Sequence, residues 1–171
     1  MQNQVLKNPL RFRHNIVFIL CVSIFICCIG FLTKEGILPL NQTFERTQNS
    51  KIWFQIAAVI GIALPFFVLI ACFKDIFIRK FTLSFLLVLF FQIMSERLSS
   101  RNIFPSMILV VAFLYISYRL WQLVYGFIEC KNHTFVKPWQ SILTRSMLVI
   151  NLIFWSMVLI RRIVFGLPQL L

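Results

Sequence analysis

The chain has 171 residues, of which 60% are apolar and only 13% are charged. Soluble domains carry about 25% charged and about 45–50% apolar residues, so this composition excludes soluble enzymes, secreted disulfide modules and disordered regulators. On a soluble protein, the net charge of +12 would suggest nucleic-acid binding. Here the basic residues lie between long apolar runs, so we expect no nucleic-acid partner and instead a small multi-pass protein in a lipid bilayer.

Five apolar runs follow one another along the chain, and a membrane helix needs about 20 residues. The first run, residues 16–32, contains no charge and is followed by Thr33, Lys34 and Glu35 rather than by a small-residue cleavage motif. We therefore predict an uncleaved helix and not a signal peptide. We interpret residues 1–171 as one all-α, polytopic transmembrane bundle. Its five predicted helices lie at residues 16–32, 52–73, 76–96, 103–128 and 145–162.

The third and fifth runs are short. The apolar part of the third, residues 81–94, would reach about 21 Å, which is less than the hydrocarbon thickness of about 30 Å. Arg79 and Lys80 lie close enough to its end to extend their side chains into the headgroups, and basic residues bracket the fifth run in the same way. The alternative is a four-helix protein, in which the third segment dips back or the last segment lies flat.

The basic residues also predict the orientation, because they concentrate in cytoplasmic loops. With the N-terminus in the cytoplasm, the inner segments hold nine Lys and Arg residues and the outer segments seven. The connection around Asp75 has the highest density of them. We therefore predict a cytoplasmic N-terminus. Four aromatic residues of the fourth helix are expected at headgroup depth, namely Tyr115, Tyr118, Trp121 and Tyr125.

Arg119 is the main candidate for a functional polar group, because a charge in mid-helix costs about 2.5–3.5 kcal/mol of insertion free energy. In the predicted fourth helix it lies about 21 Å beyond Pro105, within reach of the far headgroups. We therefore expect a side chain that is anchored in the headgroup layer. The alternatives are a hydrogen bond to an amide on another helix, such as Asn151, or the binding of an anionic headgroup.

A second polar stretch closes the third helix. Gln92 and Glu96 are four residues apart, so they share one helical face and can hydrogen-bond, and Arg97 and Arg101 form a second such pair. We expect Glu96 to pair with Arg97 or Arg101 and to fix a tight turn. Contact with an ion, a proton or a substrate is the alternative. One carboxylate gives little support for acid–base catalysis, which typically uses two titratable groups.

Two amides inside the predicted helices, Gln55 and Asn151, are expected to hydrogen-bond between helices. Ala57 and Gly61 have the small-x-x-x-small spacing, which permits close approach of another helix. Pro65 is expected to kink the same helix one turn later. These features predict helix packing rather than a ligand site.

The remaining residues form no recognisable catalytic, metal or cofactor site. The five cysteines contain no C-x-x-C pair, and Cys130 alone is expected in a polar loop. The two histidines, His14 and His133, lie on different segments. No Ser-His-Asp set, Gly-rich phosphate loop or H-E-x-x-H motif is found. We therefore expect no catalytic residue, no metal and no cofactor.

One further pattern involves Gln92, Ser95, Glu96, Pro105, Tyr118, Arg119 and Leu120. It resembles an uncharacterised family of small multi-pass membrane proteins of cyanobacteria and plant plastids. In that family a Q-x-x-S-E element similarly closes one helix, and a Y-x-R or Y-R element lies in the next. The resemblance covers about 30 residues of the chain. It implies no activity, but it implies a bacterial inner membrane or a thylakoid-type membrane.

These observations predict a non-catalytic interaction or assembly component that contacts other membrane proteins through helix packing. The basic residues would also attract anionic lipids, at about 1 kcal/mol for each Lys or Arg near the surface. The alternative is a small transporter or channel subunit, in which Gln92, Glu96 and Arg119 converge in one cavity. Our predicted topology instead places Glu96 and Arg119 at opposite interfaces. A lipid-modifying enzyme, with Glu96 as base and Ser95 or Ser99 as nucleophile, is the third hypothesis.

Overall fold

The computed structural model describes residues 12–37, 48–98 and 108–166, and within these ranges every regular element is helical. In chain order the elements are α1 (Phe12–Lys34), α2 (Gln48–Ala58), a π-helical segment (Val59–Ala63), α3 (Leu64–Ala71), α4 (Ile76–Leu98), α5 (Ile108–Asn132) and α6 (Pro138–Gly166). Because α2, the π-helical segment and α3 follow one another without a break, they form one rod. The described chain is therefore a bundle of five helical rods.

Four of these rods are long and apolar enough to cross a membrane, namely Arg13–Lys34, Ile76–Arg97, Val110–Asn132 and Pro138–Val164. The apolar part of the remaining rod, Gln55–Ala71, is shorter and reaches about 26 Å. This rod ends two residues before the predicted end, because the backbone of Cys72 leaves the helical region. The predicted all-α transmembrane bundle is confirmed, with one rod shorter than the other four.

The π-helical segment lies directly before a proline. Pro65 has no N–H group to donate to the carbonyl of Gly61, so the regular hydrogen-bond ladder of an α-helix is interrupted here. The backbone N–H of Leu64 instead bonds to the carbonyl of Val59, five residues earlier. A kink is predicted at Pro65, and the structure has a π turn directly before this proline.

Gly61 lies inside this turn and lets two other helices approach closely. A Cβ atom at Gly61 would lie 3.0 Å from Cζ2 of Trp155 on α6 and 3.6 Å from Cδ2 of Leu89 on α4. Ala57, one turn earlier, is partly buried against the same core. The close approach predicted from these two small residues is confirmed at Gly61.

The main core lies between the second rod, α4, α5 and α6. Its buried side chains include Val68, Ile78, Phe81, Phe85, Leu123, Met147 and Leu148. At Gly126, α5 comes so close to α4 that an added Cβ atom would overlap the ring of Phe81. The first helix packs against α4 and α5 through a smaller cluster of Val22, Val88, Val111 and Tyr115.

The last helix begins two turns earlier than predicted, at Pro138 rather than at residue 145. The intervening residues mix polar and apolar side chains, so a search for apolar runs leaves them out. Their buried face nevertheless recurs at helical spacing, at Gln140, Thr144 and Met147. This spacing, and a proline in the first turn, were the signals that could have predicted the true start.

The helix α5, which corresponds to the predicted fourth helix, continues to Asn132, four residues beyond the predicted end. Cys130 is therefore buried in the last turn of a helix, and the prediction of a polar loop around it is wrong. The start predicted at residue 103 lies outside the described residues. Arg119 consequently lies in mid-helix, about 17 Å from Ile108 and about 20 Å from Asn132 along the axis.

Candidate functional site

Arg119 lies in the middle of α5, and its side chain is completely buried. Its Nη2 atom donates a hydrogen bond of 2.6 Å to Oε1 of Gln92 on α4. The expectation that Arg119 is anchored in the headgroup layer is therefore wrong, because the side chain lies inside the bundle. A bond to an amide on another helix was the alternative, and it is present, but the amide is that of Gln92 and not that of Asn151.

Gln92 connects Arg119 to a carboxylate. Its Nε2 atom donates to Oε1 of Glu96 at 2.7 Å, which confirms the hydrogen bond predicted for this i, i+4 pair. The same amide thus accepts from a cation and donates to an anion. Arg119, Gln92 and Glu96 form one chain of hydrogen bonds between α5 and α4.

Aromatic rings also contact the guanidinium group of Arg119. Its Cζ atom lies 3.9 Å from the ring centre of Trp155 on α6 and 5.3 Å from that of Phe85 on α4. A cation over an aromatic face gains about 0.5–1 kcal/mol at exposed sites and about 2 kcal/mol when desolvated. Three helices therefore surround one buried positive charge.

Asn151 orients Trp155. Its Oδ1 atom accepts a hydrogen bond of 3.3 Å from Nε1 of Trp155, and its Nδ2 atom donates one of 3.0 Å to the carbonyl of Met147. Both partners lie on α6, so the interhelical hydrogen bond predicted for Asn151 is wrong. Gln55, the other amide predicted to bond between helices, is exposed. Asn151 acts instead within its own helix, on the ring that contacts Arg119.

Further polar side chains join α1, α4 and α5. The Oδ1 atom of Asn15 accepts hydrogen bonds from the hydroxyl of Tyr118 at 2.9 Å and from Nε2 of Gln122 at 2.8 Å. The hydroxyl oxygens of Ser95 and Tyr115 lie 3.3 Å apart. We call these residues and the Arg119 chain together the polar layer; its members are Asn15, Gln92, Ser95, Glu96, Tyr115, Tyr118, Arg119 and Gln122.

Asn15 and Gln122 are buried members of the polar layer to which the sequence assigns no role. Asn15 precedes the first apolar run, where a polar residue is ordinary. Gln122 lies three residues after Arg119 and therefore on a neighbouring part of the same face, which was the one signal in the sequence. The bond between the two residues connects α1 to the rest of the bundle.

Tyr115 and Tyr118, for which the sequence predicts headgroup depth, make contacts inside the bundle. Tyr115 is completely buried, and the ring of Tyr118 stacks on Phe18 of α1 with a separation of 3.7 Å between ring centres. Both rings therefore contact other helices of the bundle, and their depth in a bilayer stays a prediction.

Glu96 and Arg119 belong to one network, so the prediction that they lie at opposite interfaces is also wrong. Gln92 lies six residues before the end of α4, and Arg119 lies eleven residues after the start of α5. These two helices are consecutive in the chain and pack side by side, which brings the two positions to similar depth.

The second predicted pair is Arg97 and Arg101. Arg97 is exposed at the end of α4, and Arg101 lies outside the described residues.

Several buried atoms of the polar layer have no hydrogen-bond partner in the described part of the chain. These atoms are Nε and Nη1 of Arg119, Nδ2 of Asn15 and Oε1 of Gln122. Each unpaired buried group costs about 1–3 kcal/mol, and hydrocarbon offers no replacement for the missing partner. The polar layer can therefore hold a charge and offer donors to an acceptor, but it does not bring two carboxylates together for acid–base chemistry.

A second polar contact lies at the end of the bundle where α4 begins and α5 ends. Nε2 of His133 lies 3.0 Å from Oδ2 of Asp75, and Oδ1 of Asp75 accepts from the backbone N–H groups of Phe77 and Ile78 at the start of α4. Burial would raise the pKa of Asp75, but these hydrogen bonds and the charge of His133 outweigh burial and lower it. Burial raises the pKa of the nearby Cys72 thiol, with a further contribution from Asp75, so this thiol stays protonated.

Within residues 12–37, 48–98 and 108–166, no group of three or more His, Cys, Asp or Glu side chains is arranged to hold a metal ion. The five cysteines are not paired in disulfides. Comparison of the chain with models of known families, with curated proteins and with solved structures finds no match. The class that the fold defines is therefore a helical, membrane-embedded bundle with a buried polar layer.

Proposed function

We propose that this chain is a non-catalytic interaction or assembly component that binds another membrane protein through the outer face of α1. The observation that carries the proposal is a seam of exposed side chains along this face. Cys21, Ile24, Cys28 and Phe31 are all exposed and recur at spacings of three, four and three residues. Such spacing forms a straight seam on a helix, in which small and large side chains alternate.

The rest of α1 supports this role. Asn15, Ile19 and Val22 are buried against the bundle, so the helix is attached along one side. Lipid gives no hydrophobic driving force for helix association, which depends instead on close packing and on small residues that permit it. A seam that alternates cysteine with isoleucine and phenylalanine offers such packing to one helix of a partner protein.

A photo-crosslinking amino acid at position 24 tests the proposal in native membranes. We expect one discrete crosslinked protein product from Ile24, whose side chain lies in the seam. The same probe at Ile153 of α6, which is similarly exposed, is the matched control and should give no such product. Equal crosslinking at both positions, or products with lipid alone, would contradict the proposal.

A second candidate function is a small transporter or channel subunit. It is favoured by one observation, the convergence of Glu96, Gln92 and Arg119 in a single buried chain. Under this hypothesis the unpaired donors of Arg119 contact the solute. Reconstituted liposomes would then show tracer flux that Arg119→Met abolishes, whereas changes in the α1 seam would leave the flux unchanged.

The enzyme hypothesis receives no such support. Glu96 accepts a hydrogen bond from Gln92, and the hydroxyl of Ser95 faces that of Tyr115. Ser99 lies outside the described residues. Adjacent residues on a helix point in different directions, so Ser95 and Glu96 are poorly arranged as nucleophile and base.

The proposed location is a bacterial inner membrane or a thylakoid-type membrane, as the family resemblance implies. We further propose that the N-terminus is cytoplasmic. The turn with Lys74, the start of α4 with Arg79 and Lys80, and the connection that follows α5 then lie on the cytoplasmic side. This orientation follows the preference of Lys and Arg for cytoplasmic loops.

A further inference from the structure

The hydrogen bond between Asp75 and His133 joins two connections that are far apart in the sequence. One is the turn between α3 and α4, and the other is the connection between α5 and α6. Basic side chains flank both partners. The contact therefore collects five bases at one end of the bundle, and we call them the basic patch; they are Lys74, Arg79, Lys80, Lys131 and Lys137.

The side chains of the basic patch are accessible. Lys74, Lys80, Lys131 and Lys137 are exposed, and Arg79 is half-buried. Aromatic rings hold two of the bases in place at the apolar surface. The guanidinium of Arg79 lies 5.4 Å from the ring centre of Phe73, and Nζ of Lys131 lies 5.2 Å from that of Phe127.

The acidic residues at this end do not neutralise the basic patch. Asp75 is buried and accepts hydrogen bonds from His133 and from the backbone at the start of α4. Glu129 accepts a hydrogen bond from the hydroxyl of Tyr125. Among the described residues, none of the five bases forms an ion pair with a carboxylate. Arg145, a sixth base, lies two turns into α6, and its charge acts on the thiol of Cys130.

Apolar side chains are exposed beside these bases. Phe73 and Ile76 flank the first connection, and Val136 and Trp139 flank the second. Tryptophan favours the layer between headgroups and hydrocarbon. A surface that offers cations above exposed apolar groups matches a molecule with an anionic head and acyl chains.

We propose that the basic patch binds the headgroups of anionic phospholipids such as phosphatidylglycerol. Lys74, Arg79 and Lys80 contact the phosphate from the turn before α4 and the start of α4, and Lys131 and Lys137 contact it from the end of α5 and the connection that follows. Basic clusters directly beside membrane helices bind anionic lipid in this way. The contact between Asp75 and His133 is what brings the two halves of the site together.

The test uses the purified full-length chain in a neutral detergent, with a fluorescent phosphatidylglycerol and a fluorescent phosphatidylcholine as probes. The variant Lys80→Gln with Lys137→Gln removes one base from each half of the basic patch. The control, Lys34→Gln with Arg161→Gln, removes the same charge at the opposite end of the bundle. Each base near the surface contributes about fivefold in affinity.

We expect the patch variant to bind phosphatidylglycerol about 25-fold more weakly than the unchanged chain, with no change for phosphatidylcholine. The control variant should bind within about twofold of the unchanged chain. An equal loss in both variants would overturn the proposal, because it would show an effect of net charge alone. Displacement of the lipid by millimolar inorganic phosphate would also overturn it, because the ligand would then be free phosphate.

Discussion

Arg119 is the residue on which the interior of this protein depends most. Burying a cation in the membrane is costly unless its surroundings compensate it. Here the compensation comes from the amide of Gln92 and the ring of Trp155, while the carboxylate of Glu96 acts through Gln92. Removal of Arg119 or of Gln92 alone therefore leaves a fully buried polar group unpaired, whereas removal of both leaves only the half-buried carboxylate of Glu96 without its donor.

A double-mutant cycle with Arg119→Met and Gln92→Leu measures this compensation. We expect the double variant to lose less free energy of unfolding than the sum of the two single variants, by about 1–2 kcal/mol, because the bond is charge-assisted. Denaturant titration in detergent gives the values. The neutral pair Tyr118 and Asn15 is the control, with an expected coupling of about 0.6 kcal/mol. Strict additivity for Arg119 and Gln92 would contradict the account.

Asp75 predicts a pH dependence. Its pKa is lowered from the ordinary value of 3.8 in the folded protein, so the folded state binds this proton less readily than the unfolded state. The resulting stabilisation is present above the unfolded pKa of about 3.9 and is lost as the pH falls through the lowered value. Asp75→Asn keeps the oxygen that accepts from the helix start but removes the charge. We expect the difference in Tm between this variant and the unchanged chain to be largest near neutral pH and to shrink below about pH 4. A difference in Tm that stays constant with pH would contradict this role of Asp75.

At the scale of the helices, close packing between α4 and α5 is concentrated at one glycine. Gly126→Ala would bring a methyl group into the ring of Phe81, and such overpacking costs about 1–3 kcal/mol. We expect a lower Tm for this variant and recovery of at least half of the loss when Phe81→Leu is added. Gly61→Ala, where the nearest side-chain atom is 3.0 Å away, should cost less. Failure of Phe81→Leu to restore Tm would place the clash elsewhere.

The apolar runs predicted the number of helical rods and the bounds of α4 closely, because a helix that faces lipid must be apolar over most of its surface. They did not predict the first two turns of α6 or the last turn of α5. In the first two turns of α6 the polar residues Gln140 and Thr144 are buried. Hydrophobicity alone cannot identify such positions, whereas helical spacing can.

The same limit of sequence patterns explains which hydrogen bonds of the candidate site could be predicted and which could not. The bond between Gln92 and Glu96 was predictable, because both residues lie on one helix at a fixed spacing. The bonds of Arg119 and Asn15 were not, because they depend on the axial offset between helices. That offset follows from the packing of residues such as Gly126 and Val22, and no single segment contains this information.

At the scale of the whole molecule, the contact of Asp75 with His133 requires both connections to lie on one side of the membrane. With a cytoplasmic N-terminus, this is the cytoplasmic side. Cysteine labelling with an impermeant maleimide checks the orientation. We expect Val136→Cys, at an exposed position, to react only after permeabilisation. Ile37→Cys, exposed after the end of α1, should react in intact cells, and the reverse pattern would mean the opposite orientation.

The π turn before Pro65 holds one residue more than a regular α-helical turn would. Deleting any one residue from the middle of α4 would rotate all that follows by about 100° and turn its buried face outward. Deleting one residue from Val59–Ala63 would instead convert the π turn into an ordinary one and leave the faces of α2 and α3 in register. This short stretch is therefore a place within a helical rod where the chain can change its length without losing its architecture.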